Sequence, residues 1–113
     1  MPKTATDSKN LAGKKLGIMV AAEPGRKNFE HAVNIAAAAA AQNAEVFIYF
    51  IDEAVRGLSL PSVQGLSRNR VRVFGCAFSL QRRRLPMNSE ATMVGLTMLN
   101  EIMTQTDRFL AFT

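Results

Sequence analysis

The sequence predicts an α/β domain built on an open, mostly parallel sheet of four to five strands, with helices on both faces. Three observations carry that expectation. Residues 15–22 (KLGIMVAA) form a short apolar run without in–out alternation, and residues 45–51 (EVFIYFI) are β-branched and aromatic. Such runs suit strands buried on both faces. A segment of strong helix formers lies between them, with alanine at every position from 36 to 41. Further along, strand-like and helix-like stretches keep alternating, which calls for crossover connections and parallel pairing.

The elements follow in order. Residues 1–13 are polar and small, with too little apolar surface to order themselves, and read as a flexible tail; residues 14–113 read as one domain. The first strand ends at the turn Glu23-Pro24-Gly25. A helix is predicted over 27–42, with Asn43 as its stop. After the second strand, Asp52 and Glu53 begin a short helix that ends at Gly57. Residues 58–70 carry Gly, Pro, Ser and Asn and read as loop with at most one helical turn. A third strand spans 71–75 (VRVFG), and Cys76 opens a helix to about Arg84 that Pro86 breaks. Ser89 is the expected N-cap of a helix to Thr104, in which Val94, Met98 and Ile102 form a stripe at i, i+4 spacing. Residues 108–112 (RFLAF) close the chain as a strand. Together these give a flavodoxin-like, doubly wound order.

Composition narrows the function classes. Of 113 residues, 48% are hydrophobic and 20% charged, a globular balance. With 1 Cys and 1 His, an intramolecular disulfide is impossible and a zinc site lacks ligands. The lone thiol suits a reducing cytoplasm, and no leader or membrane span is apparent. The formal charge is +5, with Lys3, Lys9, Lys14 and Lys15 near the amino end and six arginines from Arg68 to Arg84. No aromatic–basic signature for base stacking accompanies it, so a solvated basic face is preferred over nucleic-acid binding.

Ligand sites in open α/β sheets lie beyond the carboxyl ends of the strands. Three loops qualify: residues 23–27, 52–56 and 75–76. None carries a dinucleotide or P-loop glycine pattern, so no cofactor is expected. Cys76 is the candidate catalytic residue. It follows Gly75 at a strand end where a helix should start, and helix dipole and free amides there favour a thiolate. Arg82 and Arg83 add positive field, and Asp52 at the neighbouring strand end is a candidate for lining the site. His31 and the methionines 93, 98 and 103 read as surface or packing residues, the methionines also suiting a subunit interface.

The blocks KLGIMVAAEPGRKNFEHAVNIAAAAAAQNAEVFIYFIDEAVRGL, VRVFGCAFSLQRRRL and TDRFLAF, in that order, resemble the DsrE/DsrF-like sulfur-relay family over residues 14–113. The resemblance implies that Cys76 matches the family's sulfur-carrying cysteine, which holds sulfane sulfur as a persulfide and passes it to a partner protein. It also implies a trimer or hexamer. The sequence departs from the family where RRRLP replaces a frequent Arg-Gly pair.

Two other readings stand beside it. One is a non-catalytic oligomeric interaction module with Cys76 as a packed hydrophobe. The other rests on the C-x5-R spacing of Cys76 and Arg82, by which cysteine phosphatases grip an oxyanion. Here Phe78 and Leu80 occupy the intervening loop, which has no glycine.

Overall fold

All five strands of the sheet run parallel, in the order β4-β3-β2-β1-β5, in a computed structural model that describes residues 11–86 and 91–113. The strands are β1 (Lys15–Val20), β2 (Glu45–Phe50), β3 (Arg72–Cys76), β4 (Thr92–Val94) and β5 (Arg108–Phe112). Between them lie α1 (Lys27–Ala41), a 3-10 helix (Asp52–Gly57), α2 (Pro61–Arg68), α3 (Ala77–Arg82) and α4 (Leu96–Gln105). The chain steps from β1 to β4 toward one edge, then crosses back over the whole sheet to β5. Right-handed crossovers place α1, α2 and α3 on one face by the forward steps, and α4 on the other by the return. The fold is therefore the doubly wound, flavodoxin-like α/β arrangement the sequence predicts.

Side-chain alternation divides the strands between two apolar clusters. Ile18, Val20, Ile48, Phe50 and Val73 pack with Phe29, Ala32, Val33, Ala36, Ala39 and Ala40 of α1. The alanine run lets α1 settle close to the sheet, and the Phe29 and Phe50 rings meet at 5.8 Å. On the opposite face Tyr49, Cys76 and Ile102 are buried, with Phe47, Phe74, Val94, Met98, Leu99 and Phe109 half-buried around them. Asp107 anchors the last strand: its carboxylate accepts the Lys15 N–H at 2.8 Å, and its own N–H donates to the Lys15 carbonyl.

Two boundaries differ from the sequence-based expectation. Residues 61–68 are a helix rather than loop: Pro61 occupies the first turn, where its missing N–H costs nothing, and Val63 and Leu66 bury the inner face. The last helix starts at Leu96, because Thr92–Val94 form a strand against β3, with Cys76 opposite Val94. The expected cap Ser89 and most of the expected tail lie outside the described residues. Among the described residues, no helix is long and apolar enough to cross a membrane.

Candidate functional site

The site is built from the last two residues of β3. Val73 and Gly75 face α1's side of the sheet, so Phe74 and Cys76 face α4's. Gly75 lets Leu58 and Met93 close over the strand: a Cβ there would stand 2.8 Å from both Leu58 Cδ1 and Met93 Cε, and these side chains would have to shift. Cys76 ends the strand with extended backbone (φ −73°, ψ 113°) and is the N-cap of α3. Cys76 is buried, only 2% exposed, enclosed with Tyr49 and Ile102.

Burial pushes the Cys76 thiol up, yet hydrogen bonds outweigh it and hold the pKa below the ordinary thiol value. The donors are the Ser79 hydroxyl and N–H, the Tyr49 hydroxyl and the Phe78 N–H. Each polar group in this ring is itself positioned. Ser79 Oγ accepts the Asp52 N–H at 3.0 Å, which leaves the hydroxyl proton free to point at sulfur. Asp52 holds a left-handed backbone (φ 54°) at the start of the 3-10 helix, and it reaches the site through this amide rather than its carboxylate. Tyr49 donates to the Gly95 carbonyl at 3.0 Å. Burial first, and Cys76 second, drive its own pKa far above the usual phenol value, so it stays protonated and available as a donor. Its single proton has two acceptors in reach, the Gly95 oxygen and a Cys76 thiolate.

The arginines do not reach the sulfur. Arg83 grips Glu53 Oε2 through Nε and Nη2 at 2.9 Å, and its Nη1 donates to the Ser79 carbonyl at 3.2 Å. It thus ties α3 to the 3-10 helix. Arg56 holds the other Glu53 oxygen at 2.6 Å, and these two partners keep the Glu53 carboxyl below its usual range. Arg82 lies over the Phe78 ring, 5.6 Å from its centroid. Residues 77–82 are helical, so Cys76 and Arg82 sit at opposite ends of a helix. No loop curls between them to cradle an oxyanion, and the C-x5-R reading fails on that geometry. His31 is exposed on α1, away from this site.

Sequence reasoning missed Tyr49 and Ser79. Both left a signal: the only tyrosine of the chain stands inside an apolar strand, and a serine follows the cysteine at i+3. Of the three candidate loops, 52–56 and 75–76 converge through the Ser79–Asp52 bond. The third, 23–27, lines an open cleft of about 670 Å³ at the carboxyl ends of β1 and β5, which Glu53 of the 52–56 loop also borders.

The DsrE/DsrF-like family profile matches residues 14–112. Among solved structures, the crystal structure of the YchN protein from E. coli superposes with a TM-score of 0.74 at 18% identity. That superposition covers 88% of this chain and 99% of the other, and at such identity the likeness concerns the fold alone. No curated protein matches the chain. Since the profile spans every strand and helix described above, this chain belongs to the DsrE/DsrF-like family.

Proposed function

We propose that this protein is a sulfur-relay carrier in which Cys76 takes up sulfane sulfur as a persulfide and hands it to a partner protein's thiol. Family membership supports the relay role in general. The observation that supports Cys76 in particular is the ring of hydrogen-bond donors from Ser79, Tyr49 and Phe78 around its sulfur. The Cys76 thiolate attacks the outer sulfur of a donor persulfide R–S–SH. A Cys76 S–S bond forms, the donor S–S bond breaks, and R–S⁻ leaves. In the second step an acceptor thiolate attacks the outer sulfur of Cys76–S–SH and expels the Cys76 thiolate. The same donors stabilise that leaving group, and a leaving thiol of lowered pKa departs faster. One cysteine suffices, because the acceptor supplies the second thiol and no net oxidation occurs. Neither step requires a cofactor.

Access requires the covering side chains to swing aside. The Tyr49–Gly95 hydrogen bond beside Cys76 contributes only about 1 kcal/mol net, and opening also costs the apolar contacts of the buried Tyr49 and Ile102. The proposal further takes the chain as a homo-oligomer, a trimer or hexamer, working in a reducing compartment where the thiol persists. The 2% exposure of Cys76 favours a second reading, an inert packed thiol in a non-catalytic interaction module.

Intact mass after incubation of native protein with glutathione persulfide separates the two. A gain of about 32 Da, one sulfur atom, is expected on the wild type and absent from Cys76→Ser. No adduct on the native wild type, with one forming only after denaturation, establishes the inert thiol instead.

A further inference from the structure

The outward face of α3 beside Cys76 carries a second feature that the thiol chemistry does not use. Phe78 is 63% exposed, more than any other large hydrophobic among the described residues. The Arg82 guanidinium lies over its ring, 5.6 Å from the centroid. An exposed aromatic paired with arginine is the residue chemistry that concentrates binding energy at protein interfaces. The surrounding charge is one-sided. Arg82 ends α3, Arg83 and Arg84 follow it in the turn, and Arg56 stands on the adjoining 3-10 helix, against Asp52 and Glu53. Arg56 and Arg83 already share Glu53. Arg82 and Arg84 are exposed and pair with no carboxylate among the described residues, so the surface presents unneutralised positive charge around an apolar centre.

We propose that this surface docks an acceptor or donor protein whose own face is an apolar pocket with an acidic rim, Phe78 being the anchor and Arg82 and Arg84 the charge-matching groups. The proposal rests on Cys76 as the sulfur carrier and adds the chemistry of its partner. Placement supports it: the Phe78 N–H is one of the donors to the Cys76 sulfur. Phe78 follows Cys76 by two residues, so a partner seated on it stands within about one helical turn of the Cys76 backbone.

The test uses three synthetic peptides, each with one central cysteine and one leucine, flanked by aspartate/glutamate, by serine, or by lysine. Cys76 is first loaded from glutathione persulfide, and the rate at which each peptide gains sulfur is read by mass. The acidic peptide should accept sulfur about tenfold faster than the basic one at low salt, with the advantage collapsing near 0.5 M salt. An Arg82→Gln/Arg84→Gln pair should abolish the preference. Phe78→Ser should slow transfer to the acidic peptide about tenfold relative to transfer to 2-mercaptoethanol measured on the same variant. Equal rates for the three peptides, or an acidic preference that survives the arginine changes, overturns the docking proposal while loading of Cys76 stands. If Cys76 does not load, the carrier reading falls, and fluorescence anisotropy with cysteine-free peptides still reads the surface by the same criteria. A single-stranded RNA oligonucleotide that binds more tightly than the acidic peptide also overturns it, since a polyanion is then the ligand.

Discussion

Ser79 Oγ serves two partners at once, accepting the Asp52 N–H and presenting its proton to the Cys76 sulfur. Ser79→Ala removes both interactions. The part-buried Asp52–Ser79 contact loses its acceptor, which should destabilise the fold by about 1 kcal/mol. The thiolate loses the Ser79 hydroxyl hydrogen bond, so the pH midpoint of Cys76 alkylation, which lies below the ordinary thiol value in the wild type, should move up. Tyr49→Phe should move it in the same direction. The sign of the stability effect follows from linkage. A thiol whose folded pKa is depressed contributes stability that is fully present above the unfolded value of about 8.5 and is lost as pH falls through the folded value. The Ser79→Ala deficit in urea unfolding should therefore be larger at pH 9 than at about pH 6. A deficit equal at both, or larger in acid, removes the thiolate from the account of this site.

Helices and strands set how close such residues can come. Gly17 of β1 lies under α4, where a Cβ would fall 2.6 Å from Ile102 Cγ2 and 3.0 Å from Phe109 Cδ1. Ile102 in turn packs against Tyr49 and Cys76, so Gly17 governs the height of α4 above the thiol. Gly17→Val should lift the helix, cost about 1–3 kcal/mol in urea unfolding, and speed native alkylation of Cys76. Unchanged alkylation with the stability loss present separates α4 from control of access. The element scale also shows what was legible in sequence. The alanine run, EVFIYFI and VRVFG announced α1, β2 and β3 because composition and burial agree there. Thr92–Val94 left no comparable mark: three residues, none fully buried, carry too little pattern, and pairing with β3 alone makes them a strand. Pro61–Arg68 did carry a signal, the proline at the first turn and the Val63–Leu66 spacing, which Gly65 and two serines masked. The position of Cys76 at a strand–helix junction was readable. Its burial was not, since that depends on Tyr49 and Ile102, 27 and 26 residues away in opposite directions along the chain.

Across the whole molecule the two faces of the sheet are unequally covered. Among the described residues, three α-helices lie on one face, while the other has only the ten residues of α4. A helix about 10 Å across cannot roof a five-stranded sheet, which is roughly 19 Å wide. Because α4 packs on β1 and β5, Phe47, Phe74 and Val94 on the other strands stay half-buried. The outer side of α4 adds Leu96 at 60% and Met103 at 50% exposure. Exposed apolar side chains of this kind are what a subunit contact buries, and they support the proposed homo-oligomer. Met103→Glu and Leu96→Glu each place a charge on that surface while touching no buried core residue. In sedimentation at micromolar concentration the wild type should run as an assembly several times the 12.4 kDa chain mass, and either variant should shift toward the single chain with its thermal stability within about 1 kcal/mol of that of a monomeric reference. A wild type that sediments as a single chain, or variants that leave the assembly intact, would take the α4 face out of the interface.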